Sequence, residues 1–147
     1  MNARALLRRQ LDERLRGLPR TPPPAGGWIR TIRTALGMTM AQLGRRLGVS
    51  TTGIAELERR EDRGAITLSK LRDAANALEC DVLIAFVPRV PLTEMVRQRA
   101  IAKAQEEQDR LLHTMTLENQ HEGVARSADP DRSVDHWLAK RASLLWD

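Results

Sequence analysis

A mostly α-helical chain with one short strand is what this sequence predicts, and three observations predict it. Residues 38 to 60, MTMAQLGRRLGVSTTGIAELERR, carry two helix-start residues on either side of a tight turn. Residues 81 to 87, DVLIAFV, are a short run rich in β-branched and aromatic residues, stopped by Pro88. Residues 92 to 118 hold strong helix formers and neither glycine nor proline.

Taken in order, residues 3 to 18 predict an amphipathic helix with Leu7, Leu11, Leu15 and Leu18 on one stripe and Arg8, Arg9, Arg14 and Arg16 around it. A packing role fits it. Pro19 to Gly27, with Pro22, Pro23 and Pro24 in succession, reads as an extended linker. Trp28 to Leu36 is the next helix. Thr39 then caps a helix ending at Leu47, whose Leu43 and Leu47 fall four apart on one face. Gly48 supplies the left-handed residue of a sharp turn, Val49 packs beneath it, and Ser50 caps a helix from Thr51 to Arg60 with Ile54 and Leu57 inward. Glu61 to Ala65, with Gly64, reads as a charged loop. Thr67 caps a further helix, and its Leu68, Leu71, Ala75 and Leu78 close the core.

About three residues joining two short helices is the length a helix-turn-helix uses. The pattern from Trp28 to Leu78 resembles the lambda-repressor-like, or XRE-type, DNA-binding domain. That resemblance implies that the helix from Thr51 enters the major groove and that Thr51, Thr52 and Glu56 face base edges. Threonine hydroxyls pair with donors or acceptors and their methyls touch thymine, while a carboxylate accepts from cytosine N4. Glu56 has an alternative, because a carboxylate is repelled by phosphates and instead restrains a neighbouring arginine. Met40 stands where the family usually has a phosphate-binding Gln, so that contact does not carry over. Phosphates then fall to backbone N–H groups at the start of the helix after Thr39 and to Arg45, Arg59, Arg60 and Arg63. A solvated surface is the plain alternative for any one of these arginines. Arg33 and Glu58 match a structural ion pair of the family.

Composition agrees with a polyanion partner. Net charge is +5 over 147 residues, but residues 1 to 63 carry 13 Arg against 6 acids and residues 64 to 147 carry 11 cations against 13 acids. The basic half is the half that holds the helix-turn-helix pattern. Cys80 is the single cysteine, which excludes an internal disulfide and a Cys-rich zinc site, and its apolar neighbourhood predicts a buried thiol. His113, His121 and His136 lack metal-ligand spacing, and no Gly-rich phosphate loop or nucleophile motif occurs. The expectation is a non-enzyme with no cofactor and no metal. No apolar run reaches membrane length and MNARALLRRQ is not a signal peptide, so a cytoplasmic location without membrane contact is expected.

A lone strand over Asp81 to Val87 leaves backbone groups unpaired, and the nearest candidate to pair with it is the same strand of a second copy. A homodimer through residues 81–87 would hold two reading helices about one DNA turn apart on a palindromic site. Repressor-type antitoxins that partner persistence kinases use such a strand, and ECDVLIAFVPR resembles theirs. The alternative is an element buried within one subunit. Leu92 to about Glu118 reads as one long helix or two stacked ones, Asn119 to Ser133 as a polar linker, and Val134 to Trp146 as a final helix. On that helix Trp137 and Trp146 read as anchors for a partner, with a lid on the domain as the alternative. The expected division is 1–27 for the first helix and linker, 28–80 for the DNA-binding domain, 81–90 for the dimer strand and 91–147 for a helical partner-binding extension.

The layout as a whole resembles the mobile mystery protein A family: the leucine-arginine helix, PPPAGGWIRTIRTALGMT, the strand, TMTLE and the closing LLWD. Members of that family resemble antitoxins, paired with mobile mystery protein B and its AMP-transferring Fic domain. Thr114-Met115-Thr116-Leu117-Glu118-Asn119 matches the Fic inhibitory motif, Ser or Thr, three residues, Glu, then Gly or Asn. By that resemblance Glu118 pairs with the Fic arginine that would hold the ATP γ-phosphate, and Thr114 and Asn119 complete the motif. On a helix, Thr114 and Glu118 share a face, and a carboxylate on that arginine competes with phosphate oxygens. The expected function is an antitoxin-like repressor that binds double-stranded operator DNA and inhibits a Fic-domain partner. The alternative is a stand-alone phage-type regulator whose C-terminal helices only stabilise a dimer.

Overall fold

The computed structural model describes residues 2–117, 130–140 and 142–147. Seven α-helices occur among them: α1 (Ala3–Leu15), α2 (Trp28–Ala35), α3 (Met40–Leu47), α4 (Thr51–Asp62), α5 (Leu68–Ala77), α6 (Leu92–Leu117) and α7 (Pro130–Lys140), with a 3-10 turn at Ala142–Leu144. They divide into two units, one spanning Pro19–Ala85 and one built from the first helix together with the chain from Phe86 onward.

The unit of α2 to α5 forms where the caps say it should. The Thr39, Ser50 and Thr67 hydroxyls accept from the N–H groups of Gln42, Gly53 and Lys70 at 3.1, 3.0 and 3.2 Å. Gln42 returns the favour by accepting from Thr39 N–H at 2.8 Å, which closes a reciprocal cap at the start of α3. Gly48 ends α3 in the left-handed region, with φ of 69°. Ile29, Leu43, Ile54, Ala74 and Leu78 make the buried core, with Leu47, Leu57, Leu71 and Cys80 packed against it. Burying side chains of the size of Leu43 and Ile54 contributes roughly 1.5–3 kcal/mol each. Leu68 does not join them. It lies exposed on the first turn of α5, and Ala74 takes the inward position instead.

Inside this core Arg33 of α2 meets Glu58 of α4, Nε to Oε1 at 2.6 Å and Nη2 to Oε2 at 3.3 Å, as the Arg33–Glu58 match predicts. Both are buried, at 9% and 5% exposure, so the pair stands or falls together. Hydrogen bonding to Glu58 holds the Arg33 guanidinium above its ordinary value despite the cost of burial, and its Nη1 also donates to the Met38 carbonyl at 3.0 Å.

Glu61 and Asp62 correct the expected charged loop. They belong to α4, which runs two residues past the expected end at Arg60. Glu61 accepts from the N–H groups of Trp28 and Ile29 at 2.7 and 2.9 Å, and Asp62 from Gly26 N–H at 3.1 Å. Helix α2 has no capping side chain of its own, since Gly27 precedes it, and two carboxylates at its positive end replace one. Gly27 has φ of 86°, and a Cβ there would stand 2.7 Å from Glu61 Oε2.

No strand forms over Asp81 to Val87. That stretch runs without helix, turn or bend, and none of its backbone groups bonds to another backbone group among the described residues. The physical reason is that, among the described residues, no second strand pairs with it. Leu83 and Phe86 are left 85% and 90% exposed.

In the other unit α1 packs on α6. The half-buried positions of α1 are Ala5, Arg8, Leu11, Asp12 and Leu15, and Leu18 just beyond it is half-buried too, so of the expected leucine stripe only Leu7 departs. Leu7 is turned outward, more than half exposed, because it lies about a third of a turn from the line through 8, 12 and 15. Asp12 caps α6 from outside it, accepting from Leu92 N–H at 2.6 Å, Thr93 N–H at 3.0 Å and the Thr93 hydroxyl at 2.7 Å. Burial raises the Asp12 carboxyl and the Thr93 and Leu92 hydrogen bonds outweigh it, so its pKa falls below the ordinary value.

Helix α6 is one continuous helix of 26 residues. Helix α7 starts at Pro130, four residues before the expected Val134, with proline at a first-turn position that needs no N–H donor. The remainder of the expected linker, residues 119–129, lies outside the described residues. Ala100, Trp137 and Leu145 form the core of this unit, and Val96, Ala104, Val134 and Leu138 pack around it. Alanines at 100 and 104 leave room for the Trp137 indole, whose Nε1 donates to Glu107 at 3.2 Å. Trp137 is thereby 8% exposed. Its expected role as a partner anchor is corrected to a core role, because its ring is already covered by its own chain. Among the described residues no helix is long and apolar enough to cross a membrane.

Candidate nucleic-acid interface

The first turn of α4 is held by its cap and by a tight turn before it. Val49 N–H bonds back to the Gly44 carbonyl at 2.9 Å. Gly44 itself lies under the turn, and a Cβ on it would come 2.6 Å from the Val49 carbonyl oxygen. Only glycine fits there without moving backbone, a requirement that the helical pattern of α3 gives no sign of. The result is a fixed angle between α3 and α4, which a rigid reading helix needs.

Thr51 and Thr52 are both exposed on that first turn, and neither side chain makes a hydrogen bond within the described residues. Two hydroxyls and two methyls thus face outward with their hydrogen-bonding capacity unspent. Glu56, one turn on, is half-buried among arginines. It accepts from Arg60 Nε at 3.1 Å and pairs with Arg59 Nη2 at 3.3 Å. The hydrogen bond from Arg60 and the charge of Arg59 hold its carboxyl below the ordinary glutamate value, with Arg63 adding to the pull. Of the two roles the sequence leaves open for Glu56, the restraint of neighbouring arginines is the one this conformation displays.

The structure thus brings Arg59, Arg60 and Arg63 together around Glu56 at the far end of α4. All three are exposed. Arg45 stands apart on α3, exposed and without an ion-pair partner among the described residues. Met40 is half-buried against the core, so the start of α3 presents backbone N–H groups and the Gln42 amide rather than a side chain at Met40. Sequence reasoning passed over Gln42. Its signal was present, as Thr39 followed three residues later by Gln is the pattern of a reciprocal cap.

The expected inhibitory motif straddles the limit of the described residues. Thr114 sits near the end of α6, its hydroxyl donating to the Arg110 carbonyl at 3.0 Å. Glu118 and Asn119 lie outside. Trp146 is 54% exposed, with the Arg99 guanidinium 5.9 Å above its ring. Among the described residues there is no cluster of three or more His, Cys, Asp or Glu side chains able to hold a metal ion.

Comparison with known proteins gives one match. Residues 29–83 match the family model described as Helix-turn-helix. Neither the curated proteins nor the solved structures contain a match to the chain. The matched span covers α2 to α5 and the start of the unpaired segment, so the chain carries an XRE-like helix-turn-helix domain, the domain of DNA-binding regulators, over residues 29–83.

Proposed function

We propose that the chain is a dimeric repressor that reads operator DNA with α4 and silences a Fic-domain AMP transferase with the end of α6. The observation that carries the first half is the pair Thr51 and Thr52, exposed with unoccupied hydroxyls on the first turn of a helix-turn-helix reading helix. In this reading Thr51 and Thr52 contact base edges. Arg45, Arg59, Arg60 and Arg63 contact phosphates, and Glu56 either reads a cytosine or keeps Arg59 and Arg60 aimed. The unpaired segment at 81–87 supports the dimer, since a second copy is the most available source of complementary backbone groups.

The second half rests on the resemblance to mobile mystery protein A and on the state of α6. From residue 105 to residue 114 every side chain of α6 is exposed. Leu111, Leu112 and Leu117 are 57%, 52% and 73% exposed, apolar groups on a helix that has left its own core. A helix end in that state is supported by docking on a partner. Thr114, Glu118 and Asn119 then fall at the Fic active site, where the Glu118 carboxylate occupies the arginine meant for the γ-phosphate and ATP is held out of line. Trp146, stacked on Arg99 nearer the start of α6, is the remaining aromatic anchor for a partner.

The test is AMP transfer from labelled ATP by the Fic-domain product of the neighbouring gene, alone and co-purified with this chain. Wild type silences labelling, and Glu118→Gly still binds but permits it. Two proteins that do not associate would leave a stand-alone DNA-binding regulator.

A further inference from the structure

The segment after α5 carries more than a backbone that makes no backbone bond over 81–87 among the described residues. From Cys80 to Pro88 it runs without turn or bend, and the chain bends at Arg89 and Val90. Its interior is uncharged, DVLIAFVPR having one acid at its start and one arginine at its end. Asp81 and Arg89 are both exposed, and neither has an ion-pair partner among the described residues.

We propose that two copies of the chain pair antiparallel about Ala85, so that Asp81 of each faces Arg89 of the other. This rests on the dimer reading above and fixes its register. Two-fold symmetry requires that one residue face its own copy. With Ala85 at the centre, Ile84 faces Phe86, Leu83 faces Val87, Val82 faces Pro88 and Asp81 faces Arg89. Centring on Ile84 sets Asp81 against Val87, and centring on Phe86 sets Arg89 against Leu83. Both of those leave a charge opposite an apolar side chain at each end.

Proline fixes the phase of the ladder. Pro88 has no N–H to donate, so it must fall at a pair that exchanges no hydrogen bonds. Pairs alternate between bonded and non-bonded, and Pro88 is three positions from Ala85. Ala85 therefore faces its copy as a bonded pair, and Ile84 and Phe86 meet as a non-bonded pair, where side chains approach most closely. A β-branched residue against an aromatic is a favoured cross-strand pair. It covers Phe86, which is 90% exposed in the single chain. The terminal charges also set direction: a parallel pairing in register would place Asp81 on Asp81 and Arg89 on Arg89.

The experiment uses the full chain in three forms, wild type, Asp81→Arg and Arg89→Asp, and measures the dimer dissociation constant of each by sedimentation at low salt. Both altered residues are exposed, and circular dichroism checks that each variant keeps its helices. Wild type is dimeric. Each variant alone places like charges at both ends of the ribbon and weakens the dimer about 10-fold or more. An equal mixture of the two restores the wild-type constant, because a heterodimer has an arginine opposite an aspartate at both ends. A mixture no tighter than the variants alone overturns the register while leaving the dimer. Variants that dimerise as wild type does overturn it equally. A wild-type chain that stays monomeric at ~100 μM, well above the dissociation constants of stable dimers, overturns the dimer reading and the register with it.

Discussion

Helices α3, α4 and α5 each start on a hydroxyl from the residue just before them, whereas α6 starts on Asp12, 80 residues away along the chain. The helix-turn-helix unit is a continuous stretch of sequence, and the other unit joins the first helix to the chain from Phe86 onward. The difference teaches where each unit is vulnerable. A contiguous unit with its own caps loses most when its interior is unbalanced, and a unit closed by distant residues loses most when the closing contact goes.

The largest effect is expected in the contiguous unit. Arg33→Met leaves the Glu58 carboxylate buried without its cation and costs about 3–5 kcal/mol. Chemical denaturation of the variant in a Trp28→Phe background, which leaves tryptophan only in the other unit, should show the helix-turn-helix unit melting at lower denaturant by circular dichroism while the fluorescence of Trp137 and Trp146 reports its ordinary transition. Simultaneous loss of both would break the comparison. Next in size is Gly44→Ala, which sets a methyl against the Val49 carbonyl and costs about 1–3 kcal/mol through displaced backbone. Its distinguishing mark is that affinity for DNA falls further than stability predicts, because the angle between α3 and α4 shifts.

A smaller effect is expected at Asp12, and it sharpens the comparison by its dependence on pH. The folded Asp12 carboxyl lies below the ordinary value of ~4, so its contribution is complete above that value and is lost as pH falls through the lower folded one. Acid titration of wild type should therefore destabilise the unit holding Trp137 below about pH 4. Asp12→Ala should be less stable near neutrality, by about 1 kcal/mol for a lost helix cap, and should lack that part of the acid dependence. The same acid profile in both forms would remove Asp12 from its closing role.

The same contrast explains what could be read from sequence. Thr39, Gly48, Ser50 and Thr67 act on their own neighbours, and the helices they begin and end were legible to within a residue or two. So was Arg33 with Glu58, through a family match. Glu61, Asp62 and Asp12 were not legible as caps, because each serves a helix more than 30 residues away and its own surroundings read as ordinary charge. Trp137 read as a surface anchor because nothing local marks Ala100 as its seat. The segment at 81–87 read as a strand from its composition, yet a strand is a relation between two segments and the single chain supplies one. On α4 the outward placement of Thr51 and Thr52 followed from the family resemblance, but the embrace of Glu56 by Arg59 and Arg60 depended on side-chain conformations that leave no mark in the sequence.

The most direct test of the central claim, that the first turn of α4 reads DNA sequence, is selection of bound duplexes from a randomised pool by wild type and Thr52→Ala in parallel. The account predicts that wild type enriches a palindrome with half-sites about one helical turn apart. Thr52→Ala should enrich a broader set, having lost about 1–3 kcal/mol of discrimination at one position of each half-site. The same site enriched with the same selectivity by both, or no site enriched by wild type, would contradict it.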